Sequence, residues 1–224
     1  MTNNNFYTPT EVRPLYDSII PAYQTAFAGE PWNEVSKCVD VRQRCVGGLS
    51  SAAIGSLCNT CTLRPTSPAY EYDEMTKRFD NLAASRPTAW YTEQEANEVV
   101  LAAVAWKATP QTIAEEKYAD VPEMEDWMLD KLGNQDVAWL DDIFANRQLR
   151  KQGNLRNFGK IITGLADGLN TGVVAYRTIA PQMTSAAMRD FRENAAIAWR
   201  PSEGINPTVP DRRNFIIINV DGEQ

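Results

Sequence analysis

Two groups of residues in this sequence have types and spacings that could do chemistry. Cys38, Cys45, Cys58 and Cys61 are all four of the cysteines, and they fall in one stretch, KCVDVRQRCVGGLSSAAIGSLCNTC. Four thiolates bind Zn²⁺ tetrahedrally and close a small loop that has little core of its own. Cys58-Asn59-Thr60-Cys61 has the two-residue spacing of a zinc knuckle; Cys38 and Cys45 are spaced more widely. Disulfides are disfavoured in a reducing compartment. Four sulfur ligands leave no open position, so such a metal is structural; a set of incidental free thiols is the alternative. The second group is the adjacent pair Asp141 and Asp142, inside the otherwise apolar run Val137 to Ala145, with the basic turn Arg147-Gln148-Leu149-Arg150-Lys151-Gln152-Gly153-Asn154 just after it.

The formal net charge is -7, yet Arg147, Arg150, Lys151, Arg156 and Lys160 gather around this turn. A helix N-terminus exposes unpaired N–H groups and the positive end of the helix dipole, and a glycine there lets an anion approach the main chain. That is chemistry for a phosphate; the alternative is a solvated basic helix start. The sequence contains no histidine, which excludes a Ser-His-Asp triad, a Cys-His pair and any His-ligated metal. The acidic balance argues against broad nucleic-acid or anionic-membrane binding and suits a cationic acceptor such as an amine.

Positioning these residues falls to a run of alternating elements. Pro14 to Ala28 carries a helical apolar stripe, and Tyr70 to Ser85 carries another through Tyr72, Met75, Phe79 and Leu82. Before them lies a loose start with at most a short strand around Phe6 and Tyr7. Thr88 to Thr92 and Glu98 to Thr109 form an antiparallel pair bridged by Glu93-Gln94-Glu95-Ala96-Asn97. Thr109-Pro110 opens a helical segment that stops at Gly133 and is broken by Pro122, its many acids forming a solvated face. Val137 to Ala145 is a central strand. After Gly153, Leu155, Phe158, Ile161, Ile162 and Leu165 form one stripe of a helix. The strand Gly172 to Ile179 should lie beside the central strand and parallel to it, because a strand-helix-strand unit makes a crossover. Pro181 to Asn194 is a helix, and Ala195 to Trp199 and Asn214 to Val220 are strands. No apolar run is long enough to span a bilayer and the first residues lack a signal-peptide pattern, so a cytoplasmic location is expected.

The turn Arg150-Lys151-Gln152-Gly153-Asn154-Leu155 resembles the coenzyme A diphosphate loop of the GNAT acetyltransferase superfamily, Arg/Gln-x-x-Gly-x-Gly/Ala, with Leu155 replacing the small last residue. The order of elements is similar to the family's over most of the chain. The resemblance implies an α/β (α+β) fold: a central, mostly antiparallel mixed sheet with one splayed parallel strand pair, flanked by helices. It implies a single domain over 1–224 with the zinc-binding cysteine module, 36–66, inserted in it. It further implies that Ala145 and Arg147 present backbone groups to the pantetheine arm, and that the N–H groups of Arg150, Lys151, Gln152, Gly153, Asn154 and Leu155 hold the diphosphate of acetyl-CoA.

The expected reaction is acyl transfer from acyl-CoA, acetyl in the first instance, to an amine. It needs a neutral amine, a nearby thioester, an oxyanion donor and a proton acceptor. Asp141 and Asp142 are the candidate bases, since neighbouring strand positions point to opposite faces and one should meet the cleft; the other would be buried and could pair with Arg177, and a purely structural pair near the strand end is the alternative reading. Glu95 and Glu34 are reserves. The family's tyrosine acid falls at Phe191 in the register Thr184-x-x-Ala187-x-x-x-Phe191, which leaves Tyr176 or water to protonate the thiolate. A catalytically inactive acyl-CoA-binding or protein-interaction module is the alternative. A nucleic-acid role for the cysteine module is disfavoured, because no aromatic residue lies between Cys38 and Cys61. The acceptor, small amine or protein amine, stays open.

Overall fold

The computed structural model describes residues 3–29, 32–39, 49–62, 64–119, 123–145, 155, 157–178, 180–199 and 213–221. Among them a seven-stranded sheet runs through the molecule. Its strands are β1 (Asn3–Tyr7), β4 (Thr88–Glu95), β5 (Glu98–Ala108), β6 (Val137–Ala145), β7 (Val173–Thr178), β8 (Ala195–Trp199) and β9 (Asn214–Asn219), in the order β1-β4-β5-β6-β7-β9-β8. Two short strands, β2 (Ser36–Cys38) and β3 (Thr66–Pro68), form a separate antiparallel hairpin. The central pair β6–β7 is parallel and every other pairing in the large sheet is antiparallel. This is the expected mixed α/β architecture.

One face of the sheet is covered by α6 (Phe158–Leu169) and α7 (Pro181–Phe191). The α6 stripe Phe158, Ile161, Ile162 and Leu165 is fully buried against Leu101, Ala103 and Ala105 of β5 and Ala138 and Leu140 of β6. Burying each such side chain is worth roughly 1.5–3 kcal/mol, so packing rather than helix propensity holds α6 in place. After the short helix α1 (Pro9–Val12), the other face carries α2 (Tyr16–Ala28) and α3 (Tyr72–Ser85) over Val99, Ala102, Val104 and Phe144. Farther along that face, α4 (Pro110–Lys117) and α5 (Glu123–Leu132) lie over Trp106, Val137 and Trp139. Successive β5 residues thus enter different layers, as pleating requires. Helix α4 opens on the anticipated cap, Thr109 Oγ1 accepting from the Thr112 N–H at 3.2 Å with Pro110 at the first position. Among the described residues no helix is long and apolar enough to cross a membrane.

Three expectations are corrected. The start of the chain is a five-residue edge strand paired to β4; Phe6 lies 5.0 Å from the Tyr91 ring and covers Gly164, where a Cβ would sit 2.1 Å from the Phe6 ring. The β4–β5 connection is a two-residue turn, with Ala96 and Asn97 at φ 50° and 69°, so Glu93, Gln94 and Glu95 belong to the strand. Helix α6 begins at Phe158 and not after Gly153; Leu155 precedes it and packs partly buried on the same core. Short-range apolar spacing continues through Leu155, and spacing alone carries no information on where the chain turns into the helix.

Candidate active site

Strands β6 and β7 pair through only two positions, Ala138↔Val174 and Trp139↔Ala175. Beyond them β6 continues to Ala145 and β7 to Thr178 without bonding to each other, and a cleft of about 450 Å³ opens there. On its β5 side, β6 shifts register between Leu140, which faces Ala105, and Asp142, which faces Val104. Asp141 is therefore the extra residue of a β-bulge, a device that re-aims side chains.

The bulge corrects the expectation of opposite faces, since both carboxylates reach one guanidinium. Arg78 of α3 lies 2.9 Å from Asp141 and 2.6 Å from Asp142. Lys117, the last residue of α4, lies 2.5 Å from Asp141. Arg78 also donates to the Tyr23 hydroxyl at 3.0 Å, and that hydroxyl donates to Asp142 at 3.3 Å. Arg177, the anticipated partner, instead donates to the Lys117 carbonyl and stacks over Tyr118. Two acids and two cations make a neutral quartet, which is how buried charge is tolerated. The two acids then diverge. Burial raises the pKa of Asp141, but Lys117 and Arg78 outweigh it and hold the carboxyl below its usual value. For Asp142 burial prevails over Arg78, and its pKa is pushed up to about 6.

Toward α2 the cleft becomes an aromatic chamber. Tyr23 and Phe27 stack at 4.3 Å, Tyr70 meets Tyr23 edge-on at 4.9 Å, Trp32 lies 5.4 Å from Phe27 and Phe144 lies 5.2 Å from Tyr23. A turn with Asn33 at φ 52° places Trp32 and Glu34, and the N–H groups of Trp32 and Asn33 both donate to the Gly29 carbonyl. Glu34 accepts from the Tyr70 hydroxyl at the chamber wall, and burial raises its pKa above the usual carboxylate value. Glu95 is elsewhere: it stands exposed beside the β4–β5 turn, opposite Glu98, and does not line the cleft.

Glu34 and Tyr70 flank the two strands of the cysteine module. Val35 accepts from the Ala69 N–H at 3.1 Å, and β2 pairs with β3 from Ser36↔Pro68 to Cys38↔Thr66. The sulfurs of Cys38, Cys58 and Cys61 lie within 4.8 Å of one another, and those of Cys38 and Cys61 are 3.8 Å apart. Two thiolates at Zn–S distances of ~2.3 Å and a tetrahedral angle sit ~3.8 Å apart, whereas a disulfide would bring them to ~2.05 Å. The Thr60 N–H donates to Cys58 Sγ at 3.4 Å. Cys45 lies outside the described residues.

At the other end of the cleft, Ala145 closes β6, buried, and Leu155, Thr178, Ala180 and Met183 line the wall. Tyr176 also lines it, but its hydroxyl donates to the Met183 carbonyl at 3.2 Å and burial pushes its pKa far above the usual phenol value. Phe191 is a buried core residue. Arg147, Arg150, Lys151, Gln152, Gly153 and Asn154 lie outside the described residues. The first turn of α6 is capped from within: Asp190 accepts from the Gly159 N–H at 2.9 Å, and Arg189 donates to the Leu155 carbonyl at 2.8 Å.

Sequence reasoning missed Arg78, Lys117, Tyr23 and Tyr70. Arg78 had a signal: it stands three residues after Met75 and beside Phe79, a cation on the apolar side of its helix. The quartet required knowing which strand that side covers.

The sequence matches no family model and no curated protein. Solved structures do resemble the fold. A GNAT-family acetyltransferase from Staphylococcus aureus MU50 superposes with a TM-score of 0.50, is 8% identical, and the match covers 99% of this chain and 100% of that one. The ribosomal-protein-S18-alanine N-acetyltransferase of Escherichia coli gives a TM-score of 0.48 at 11% identity, covering 100% and 97%. A putative acetyltransferase of Salmonella typhimurium with its cofactor acetyl-CoA gives 0.47 at 9% identity, covering 100% and 96%. The S. aureus likeness shows a shared fold.

Proposed function

We propose that this chain is an acyl-CoA-dependent N-acyltransferase, with acetyl as the transferred group and Asp142 as the proton acceptor. The observation that supports it most is the cleft between two parallel strands that separate, bordered by a buried carboxyl whose pKa of about 6 suits a base near neutral pH. In the reaction the amine nitrogen attacks the thioester carbonyl and the C–S bond breaks. Asp142 takes a proton from the nitrogen, directly or through water, and passes it to solvent, while the departing thiolate takes one from solvent water, since the Tyr176 hydroxyl is committed to Met183. Asp141, tied to Lys117 and Arg78, stays ionised and positions Arg78. Glu34 is the reserve base, at the chamber wall; exposed Glu95 is withdrawn from that role.

The diphosphate of the cofactor is assigned to the N–H groups and cations of Arg150 to Leu155, and its pantetheine arm to backbone groups of Ala145 and Arg147. The cysteine module, 36–66, is assigned a structural Zn²⁺ held by Cys38, Cys58, Cys61 and Cys45, within a single domain over 1–224. Three described sulfurs at the spacing of thiolate ligands support that assignment. The metal would keep β2 and β3 together, and so keep Glu34 and Tyr70 at the chamber wall.

Calorimetry with acetyl-CoA, followed by a thiol-release assay over an amine panel, tests the proposal. Saturable binding with amine-dependent thiol release is expected; absence of acetyl-CoA binding would overturn it. Binding without turnover would favour a catalytically inactive acyl-CoA-binding or interaction module, a reading that the core position of Phe191 keeps in view.

A further inference from the structure

Two donors of different kinds hold Asp142. Its Oδ2 accepts from Arg78 Nη2 at 2.6 Å, and its Oδ1 accepts from the Tyr23 hydroxyl at 3.3 Å. The direction of the second bond is fixed. Arg78 Nη1 donates to the same hydroxyl oxygen at 3.0 Å, and a guanidinium has only donors, so the phenolic proton is left to the carboxylate. Burial, with the Asp142 charge adding to it, holds the Tyr23 pKa well above the usual phenol value, so Tyr23 stays a donor across the working range of pH.

The hydroxyl is also rigidly placed. Tyr23 is 2% exposed, and its ring meets Phe27 at 4.3 Å, Tyr70 at 4.9 Å, Phe144 at 5.2 Å and Phe79 at 6.3 Å. A ring enclosed on these sides cannot carry its oxygen away, whereas the partly exposed Arg78 has room to swing toward solvent. By holding Nη1, Tyr23 leaves Nη2 to span Asp141 and Asp142. The 3.3 Å contact is long for O–H···O, as catalytic hydrogen bonds commonly are before substrate enters.

Taking the acyltransferase reading as its basis, we infer that Tyr23 is a positioning residue of the site: its hydroxyl ties Arg78 to Asp142 and holds the Asp142 carboxylate in its proton-accepting form. A donor to the ionised form lowers the pKa of a carboxyl. The groups facing Asp142 are Arg78 from α3, Lys117 from α4, Asp141 beside it on β6, Tyr70 ahead of α3 and Tyr23 from α2. Burial and Asp141 oppose its ionisation, and Arg78 and Lys117 favour it. Tyr23 joins the second set without adding a charge.

Tyr23→Phe in the full chain removes the hydroxyl and keeps the ring. Carbon-13 labelling of the aspartate carboxyls, with the Asp142 resonance identified by its loss in Asp142→Asn, gives the titration midpoint without any substrate. That midpoint should rise by about one pH unit, the scale of one hydrogen bond to a charged group. With acetyl-CoA and the most active amine of the panel, the same rise should lower kcat/KM about tenfold at pH 5 and little at pH 9, because the ionised fraction falls tenfold per pH unit only below the midpoint. A tyrosine that merely filled space would lower Tm and leave the midpoint where it was. An unchanged or lowered midpoint in Tyr23→Phe overturns the inference, even where acetylation occurs. A raised midpoint in a protein that acetylates no amine upholds the hold of Tyr23 on Asp142 and overturns the acyltransferase reading. If Tyr23→Phe does not fold, 3-fluorotyrosine at this position, a stronger donor of nearly the same shape, should lower the midpoint; an unchanged value there overturns the inference.

Discussion

Replacing Arg78 with methionine removes the guanidinium that two carboxylates share. The side chains of Asp141 and Asp142 are only 7% and 13% exposed, whereas that of Arg78 is 39% exposed. Breaking a buried pair by deleting one partner costs about 3–5 kcal/mol. Water reaches Arg78, which lowers the expected loss to about 2–4 kcal/mol. For a chain of this length that is a fall in Tm of about 5–15 °C. The pH dependence is more diagnostic. Asp142 in the folded protein has a pKa of about 6, above its ordinary value of 3.8, because burial outweighs Arg78. A carboxyl that binds its proton more tightly folded than unfolded weakens the fold as pH rises through that window. Without Arg78 the folded pKa moves higher still, so the window widens upward and the deficit grows with pH. Asp141 behaves oppositely: its lowered pKa contributes stability above the unfolded value, which is lost as pH falls through the folded one. Losing Arg78 reduces that contribution, but Lys117 retains part of it. Calorimetric melts of both proteins at pH 5, 6, 7 and 8 should show a deficit that is modest at pH 5 and largest at pH 8. A loss below about 1 kcal/mol, the value of an exposed pair, or a deficit independent of pH would refute the buried quartet.

Asp142→Asn should lower kcat by about 10²- to 10⁴-fold, the scale of a general base, and abolish the rise of the rate with pH near 6; a retained acidic limb would exclude Asp142 as the base. Cys58→Ser should reduce bound zinc, measured by atomic emission, lower Tm, and raise KM for the amine before it affects acetyl-CoA binding, because β2 and β3 carry Glu34 and Tyr70. Unchanged metal content and stability would count against the metal assignment. Tyr176→Phe removes one hydrogen bond to the Met183 carbonyl, a loss of about 1 kcal/mol in stability, with kcat largely kept; a large fall in kcat would instead make Tyr176 the acid.

Much of the architecture was legible because it rests on local physics. Val137 to Ala145 is a strand with the bounds that its apolar run indicated, and the α6 stripe from Phe158 to Leu165 is the buried one. The parallel placement of β7 followed from the handed strand-helix-strand connection. The grouping of Cys38, Cys58 and Cys61 was legible too, because their closeness in sequence keeps them within one short stretch that folds back on itself through β2 and β3. What eluded the sequence depends on register and on contacts between distant segments. A one-residue bulge at Asp141 turned two acids expected on opposite faces toward the same guanidinium. A two-residue turn carried Glu95 away from the cleft. The aromatic chamber draws on α2, the loop after it, Tyr70 ahead of α3 and the end of β6. Residue types and their spacing determined the elements and the metal-like cluster; only tertiary packing decided which acid is buried beside which cation, because pairing is set by three-dimensional distance and by dielectric, neither of which is encoded in any single stretch of chain.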